Sequence, residues 1–221
     1  MNFFELLIES LPRLLQGMGV TLKITLISLV FATILGLITC FMAISSKKSL
    51  RFIATCYIDL IRGTPLLVQA FFVYFGITQA LNFRLTADIA GIITLSLNAG
   101  AYLSEIFRSG ILAIDKGQME AARSLGLPYS RAMQKIIMPQ AIRIVVPSLV
   151  NQFIITLKDT SILSVIGMRE LTQTGKLIVS VNFESFKIWT MVAIMYFLLI
   201  WLLSKLSKII ERRLAYGKSQ R

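Results

Sequence analysis

Five long apolar blocks dominate this chain, and they constrain its fold more than any other feature. The clearest block runs from Ile24 to Ile44 without a charged residue, which is the length an α-helix needs to cross the hydrocarbon core of a bilayer. Only 15% of the residues are charged, against about a quarter in soluble domains. The sequence therefore predicts an all-α integral membrane protein.

The five predicted spans differ in how strictly apolar they are. Span 1 carries Ala32, Gly36 and Cys40 at four-residue spacing, a stripe of small residues that lets helices approach closely in lipid. Trp189 and Trp201 lie near the two ends of span 5, where aromatic rings anchor a helix at the interface. Residues 1–221 are expected to form one transmembrane domain. Its spans lie at about residues 20–44, 52–75, 89–114, 145–167 and 186–206, with residues 115–144 as one long loop.

The net charge of +12 comes from basic residues that flank the apolar blocks. This placement follows the positive-inside rule and argues against nucleic-acid binding. Most basic residues lie in the 1–2 loop, the 3–4 loop and the C-terminal tail, which share one side if the span count is odd. Five spans thus place the N-terminus outside and the C-terminus in the cytoplasm of a multi-pass cell-membrane protein.

The N-terminal segment Met1–Gly19 has an apolar helical stripe with polar gaps. It predicts an amphipathic helix on the outer surface; a sixth span is the alternative, but it breaks the charge rule. Glu5 and Glu9, with no basic start, argue against a cleaved signal peptide. The chain has no histidine, and the isolated Cys40 and Cys56 suggest packing residues rather than a metal site.

Polar residues recur near half depth in spans 2, 3 and 4, at about 1.5 Å per residue. Charged groups in a bilayer are unfavourable, and transporters place substrate sites near the midplane, often where helices are broken. In span 3 one helical face carries a polar stripe: Thr94, Asn98, Tyr102, Glu105 and Ser109. Such a stripe lines either a cavity or a contact in which Asn98 and Glu105 only hydrogen-bond to neighbouring spans.

Span 2 is interrupted by the sequence Arg62-Gly63-Thr64-Pro65. Pro65 has no backbone donor, so a carbonyl is freed in mid-span and the helix should kink. We interpret Arg62, Gly63 and Pro65 as gating or kink residues; the alternative is an Arg62–Asp59 pair that only shapes packing.

Span 4 carries Lys158-Asp159-Thr160-Ser161, whose carboxylate and hydroxyls suit an ammonium group, while Lys158 or Arg62 would suit a carboxylate. The acids Asp59, Glu105 and Asp159 favour a cationic amino acid, although Arg62 and Lys158 weaken that inference. The candidate substrate-binding residues are Thr64, Asn98, Tyr102, Glu105, Gln152, Lys158, Asp159, Thr160 and Ser161.

The 3–4 loop is polar and rich in small residues, which indicates two short helices. Gly117–Leu125 should form the first, stopped by Gly126 and Pro128, and Tyr129–Met138 the second, ended by Pro139. Ala121 and Ala122 are small enough to let the helix enter a groove on a soluble partner, and Glu120 and Arg123 can fix its register; alternatively the loop only covers the bundle.

No catalytic set is visible, so the chain is not expected to be an enzyme. Gly217-Lys218-Ser219 lacks the upstream glycine and preceding strand of a phosphate loop. Any nucleotide must therefore bind another chain.

Together, these motifs resemble the permeases of ABC importers, in particular the polar amino-acid uptake branch. Glu120-Ala121-Ala122 with Gly126 and Ile137-Met138-Pro139 is similar to the EAA loop of that superfamily. Four motifs together narrow the resemblance to amino-acid uptake: Arg62-Gly63-Thr64-Pro65, Gly117-Gln118-Met119-Glu120-Ala121-Ala122, Pro139-Gln140-Ala141 and Lys158-Asp159-Thr160-Ser161. Met138 stands where the family more often has leucine.

The resemblance implies a type I importer permease with five spans that pairs with a second permease chain, here expected to be a homodimer. Two partner ATPase subunits would bind ATP and Mg²⁺, and a binding protein would deliver the amino acid outside. The coupling helix would dock on the ATPase through Gly117, Glu120, Ala121, Ala122, Arg123, Gly126 and Pro139. The alternatives are a permease for another small polar solute, such as an osmolyte or methionine, a passive channel, and a membrane scaffold.

Overall fold

The computed structural model describes residues 2–216, with side chains described for residues 2–209, and this part of the chain is helical apart from short connections. It contains no strand. Within it, four helices are long and apolar enough to cross a membrane, and a bent pair, Lys48–Arg62 with Leu66–Ala80, makes a fifth crossing when counted as one span. The predicted all-α membrane fold is confirmed. The tail motif Gly217-Lys218-Ser219 lies outside the described residues.

The first helix, α1 (Phe3–Ala43), is continuous over 41 residues. The predicted apolar stripe before Gly19 is present, but it is the first half of α1 rather than a separate surface helix. Its residues Leu6 and Leu14 are buried in a core cluster with apolar side chains from residues 171–192. These buried side chains lie on both sides of Pro12. Their packing holds the helix continuous through the proline, which would otherwise favour a break.

The small-residue stripe of α1 packs as the sequence predicts, against α5 (Ala87–Leu112). Ala32 and Cys40 are fully buried, and a Cβ added at Gly36 would lie 2.9 Å from Leu103 Cβ and 3.1 Å from the Gly100 carbonyl oxygen. This contact leaves no room for a larger side chain. Helix α5 is the central helix of the structure, since it also packs against α2 (Lys48–Arg62) and α8 (Met138–Asp159).

Gly36→Val should separate α1 from α5 and lower the stability of the folded protein by roughly 1–3 kcal/mol, because the obstructing atoms include backbone. Thermal unfolding of the detergent-solubilised protein measures the loss. Gly19→Val is the matched control: it adds the same β-branched residue to the same helix, where a Cβ meets nothing within 4 Å. Equal losses in the two variants would contradict close packing at Gly36.

Span 2 is broken more sharply than a kink. Helix α2 ends at Arg62, and α3 (Leu66–Phe71) begins after Pro65 at an angle of 103°. The chain then continues through a π-helical segment, Phe72–Ile77, into α4 (Thr78–Ala80), beyond the predicted span end at residue 75. The predicted interruption at Pro65 is confirmed.

The 3–4 loop begins with α6 (Lys116–Ser124), close to the predicted Gly117–Leu125. The Asp115 carboxylate accepts a hydrogen bond from the Gly117 amide at 2.7 Å and caps the helix start. At the other end Gly126 has φ = 82°, and the Leu127 amide donates to the Ala122 carbonyl. This glycine stop forms a Schellman turn, as its position predicts.

The second loop helix does not end at Pro139. After α7 (Tyr129–Ala132) the chain forms a π-helical segment, Met133–Ile137, and runs directly into α8. Pro139 occupies the first turn of α8, where a missing N–H is tolerated, and the wider π turn before it accommodates the ring. Span 4 therefore begins well before the predicted residue 145.

Span 4 ends in a 3₁₀ segment, Thr160–Ile166, closed by Gly167 at φ = 82°. A helix that the sequence did not predict follows, α9 (Leu171–Asn182), before span 5 forms α10 (Ser185–Tyr216). Leu171 and Ile178 of α9 pack into the core cluster that holds Leu6 and Leu14 of α1. The connection between spans 4 and 5 is thus a packed helix rather than a loop.

Candidate functional site

The break in span 2 brings together polar groups of α2, α3 and α5. Thr64 donates through its hydroxyl to the Leu60 carbonyl at 2.8 Å. Gln69, which the sequence did not single out, donates from Nε2 to the carbonyls of Ile61 and Thr64 at 2.7 and 3.0 Å. Its Oε1 accepts from Asn98 Nδ2 at 3.0 Å. Asn98, a predicted substrate residue, therefore contacts a neighbouring span in this structure.

A charged cluster lies farther along α5. Glu105 accepts two hydrogen bonds at 2.9 Å from Arg108, one from Nε and one from Nη2, in a bidentate pair. Arg62 lies 3.8 Å from Glu105 Oε2 and 5.3 Å from the centre of the Tyr102 ring. The alternative pairing of Arg62 with Asp59 is not what the structure shows, since the cation contacts α5 instead. Arg108 is not among the residues that the sequence singles out.

These contacts leave the two cations of the cluster in different states. Arg108 is committed to Glu105 by two short, charge-assisted bonds. Arg62 makes one long contact with the same carboxylate, and 43% of its side chain is exposed. Arg62 is therefore the cation with bonding capacity for an incoming anion.

The polar residues of span 4 lie where α8 passes into the 3₁₀ segment. Thr160 is fully buried and donates to the Leu157 carbonyl at 2.7 Å; Ser161 donates to the Lys158 carbonyl at 2.7 Å. Lys158 is exposed and Asp159 is half-buried. Neither forms a salt bridge among the described residues. They do not pair with each other, because adjacent residues of a helix point in different directions.

Gln152 and Thr94 are buried and bonded within their own helices. Gln152 donates to Thr156 Oγ1 at 3.4 Å, and Thr94 donates to the Ala90 carbonyl at 2.8 Å. Thr94 also lines an apolar cleft of about 290 Å³ beside the break, together with Thr64 and Gln69. No hydrogen bond or ion pair in the described part of the chain joins the Arg62–Glu105 cluster to Asp159, so the candidate residues form two groups.

The two groups are connected through packing. Ala70 and Val73, just after the break, share a core cluster with Leu163 and Ile166 of the 3₁₀ segment. The break in span 2 and the 3₁₀ end of span 4 thus contact one another through apolar side chains. We expect a movement of one to displace the other, because close-packed cores do not deform freely.

The loop helix α6 presents a polar outer face. Glu120, Ala121 and Arg123 are exposed, whereas Ala122 is only 2% exposed. Ala122 was expected to face a partner's groove. Instead it packs against its own chain, because adjacent residues of a helix point in different directions and Ala121 takes the exposed one. Arg123 donates to the Leu127 carbonyl at 3.1 Å and so also steadies the glycine turn.

Glu170 is a buried carboxylate that sequence reasoning missed. It accepts from the amides of Thr172 and Gln173 at 2.8 and 2.7 Å and from the Tyr196 hydroxyl at 2.8 Å, which caps α9 and joins it to α10. Burial raises the pKa of the Glu170 carboxyl above its usual value, and these hydrogen bonds oppose the rise. In the sequence, a glutamate followed directly by an apolar residue and three residues later by a glutamine is only a weak signal for the start of a helix.

Glu170→Ala should destabilise the protein by roughly 2–4 kcal/mol, because it leaves two helix-start amides without an acceptor and leaves the Tyr196 hydroxyl with only the Thr172 hydroxyl, 3.2 Å away, as a partner. Tyr196→Phe removes only one of the three bonds and should lower the stability by about 1 kcal/mol. Thermal unfolding of both variants gives the comparison. A Glu170→Ala loss no larger than that of Tyr196→Phe would contradict the capping role.

Comparisons with known proteins agree with this architecture. Residues 32–216 match the family model described as the inner membrane component of binding-protein-dependent transport systems. The chain is 36% identical to the arginine transport system permease protein ArtQ of Bacillus subtilis (strain 168), over 96% of each chain. It is 37% identical to the glutamine transport system permease protein GlnP of Escherichia coli (strain K12), over 93% of this chain and 94% of that one.

Solved structures give the same result. A crystal structure of an amino acid ABC transporter with histidines superposes with a TM-score of 0.90 at 39% identity, covering 96% of this chain and 99% of that one. The inward-facing MetNI methionine ABC transporter superposes with a TM-score of 0.77 at 18% identity, covering 91% of this chain and 95% of that one. At that identity the second likeness concerns the fold alone.

Proposed function

Because this chain belongs to the family of inner membrane components of binding-protein-dependent transport systems, we propose that it is the permease subunit of an ATP-driven importer for polar amino acids. The observation that carries the proposal is the broken span 2, which packs on the 3₁₀ end of span 4, with polar side chains at both places. Broken helices at the level of a polar site are the arrangement transporters use to bind a solute.

The proposed substrate is a zwitterion, recognised at both ends. Arg62 has free bonding capacity for a carboxylate, and Asp159 with the Ser161 hydroxyl suits an ammonium group. Asp159, without a salt bridge among the described residues, supports a preference for cationic amino acids. Glu105 supports it less, because Arg108 and Arg62 already surround its carboxylate.

Transport would proceed by alternating access, coupled through α6. Glu120, Ala121 and Arg123 offer an exposed surface on which a partner ATPase can dock, and the long α8 runs from that loop to Asp159. ATP and Mg²⁺ would bind to the two ATPase subunits, a second copy of this permease would complete the pathway, and an external binding protein would deliver the amino acid. The charge distribution supports an outer N-terminus and a cytoplasmic C-terminus.

A ligand screen on the purified complex of this permease with its ATPase subunits tests the proposal. Arginine, lysine, histidine or glutamine should stimulate ATP hydrolysis in proteoliposomes supplied with the binding protein, and uptake should require ATP. Stimulation by methionine or an osmolyte alone would favour another polar solute. Uptake without nucleotide would indicate a passive channel, and ATPase docking without any uptake would indicate a scaffold.

A further inference from the structure

Carbonyl groups at the end of α2 have lost their normal helical partners. In an unbroken helix the amides of residues 64 and 65 would donate to the carbonyls of Leu60 and Ile61. Residue 65 is proline and has no amide proton. The Thr64 hydroxyl donates a hydrogen bond to the Leu60 carbonyl instead, at 2.8 Å. The Ile61 carbonyl needs a donor from elsewhere, since an unsatisfied carbonyl inside a membrane is strongly unfavourable.

Gln69 supplies that donor. Its Nε2 lies 2.7 Å from the Ile61 carbonyl, the shortest of its contacts, and also reaches the Thr64 carbonyl at 3.0 Å and the Thr64 hydroxyl at 2.9 Å. One side-chain amide in the second turn after the break thus closes the end of the helix before the break. Without this amide, the 103° bend would leave the Ile61 and Thr64 carbonyl oxygens without a hydrogen-bond donor.

The same side chain is anchored to α5. Gln69 Oε1 accepts from Asn98 Nδ2, which fixes the amide orientation so that Nε2 faces the carbonyls. On the other side of the break, the Tyr57 hydroxyl of α2 donates to the carbonyl of Leu97 at 2.6 Å. The two halves of span 2 are therefore each held by one of two adjacent residues, Leu97 and Asn98, of the central helix.

We propose that Gln69 is a positioning residue, whose amide replaces the proton donor that Pro65 lacks and, through Asn98, fixes the bend that presents Arg62 and Thr64. We call the hydrogen bonds of Gln69 to Ile61, Thr64 and Asn98 the clamp. The clamp is inferred from geometry alone, and its effect on the ligand response rests on the proposed function. Asn98 acts through Gln69 rather than as a direct ligand.

A mutant cycle tests the clamp. Gln69→Leu should lower the Tm of the purified complex by roughly 3–6 °C, because two carbonyls lose their donor. Pro65→Ala restores an amide proton for the Ile61 carbonyl, so the same Gln69→Leu change in the Pro65→Ala background should lower Tm by less than half as much. Gln79→Leu, on the exposed surface of α4, is the matched control and should leave Tm unchanged. Equal losses in the two backgrounds overturn the clamp.

The ligand response tests the positioning role. In Gln69→Leu the amino-acid concentration that half-stimulates ATP hydrolysis should rise by about 5- to 20-fold, because Arg62 and Thr64 lose their fixed geometry. A smaller Tm loss in the Pro65→Ala background together with an unchanged half-stimulating concentration overturns the positioning role. If no amino acid stimulates the unmodified complex, the proposed function fails, while the Tm cycle still decides the clamp.

Discussion

Glu120→Lys should abolish ATP-driven uptake while leaving the permease folded in the membrane. Glu120 is exposed on α6, and its own chain gives its carboxylate no partner in the described structure. On the proposed coupling surface Glu120 faces a cation of the ATPase. The reversed charge would meet a like charge across that interface, which lowers affinity by several kcal/mol. Co-purification of the ATPase subunit and ATP-dependent uptake are the measurements.

Glu9→Lys is the control for this reversal. It introduces the same two-unit charge change on an exposed side chain of α1, far along the chain from α6. This variant should retain the ATPase subunit and uptake. Normal docking and uptake in Glu120→Lys would remove Glu120 from the coupling surface.

Asp159→Ala should raise the ligand concentration that half-stimulates ATP hydrolysis by about 10- to 100-fold, the value of one charge-assisted hydrogen bond of roughly 1.5–3 kcal/mol. Asp159 is half-buried at the end of α8, next to the 3₁₀ segment. Its loss removes a carboxylate that, unlike that of Glu105, forms no salt bridge with an arginine among the described residues.

Asp88→Ala removes an exposed acid from the first turn of α5 and should leave the response unchanged. The comparison is made for several amino acids, since a role in binding the α-ammonium group affects all of them equally. A role with a cationic side chain affects arginine and lysine more than glutamine. An unchanged response to every amino acid excludes Asp159 from the site.

The apolar runs made the helices predictable, and Pro65 made the break predictable, because both act through local chemistry. The fold departs from the sequence expectation where distant contacts decide. Burial of Leu6 and Leu14 makes the N-terminal segment part of α1, and the π turn before Pro139 lets the helix continue. Helix α9 was missed because its polar residues obscure an apolar stripe that becomes visible only once it packs.

The candidate site shows the same limit. Residue type predicted Arg62 and Asp159, since charges within an apolar span are conspicuous. Gln69 could not be found this way, because a neutral amide four residues after a proline is unremarkable until the bend brings it back to Ile61. Likewise, nothing in the sequence indicates that Arg62 contacts Glu105 rather than Asp59.

The length of α1 makes it a natural reporter of movement. Its 41 residues extend for about 60 Å, and even a 40° tilt leaves about 47 Å along the membrane normal, against a hydrocarbon core of about 30 Å. At least one end must therefore extend beyond the hydrocarbon core. A tilt of about 10° around a pivot 30 Å away displaces the projecting tip by roughly 5 Å. A fluorophore or spin label on the exposed Phe4 would turn small rotations within the bilayer into distances that can be measured in water.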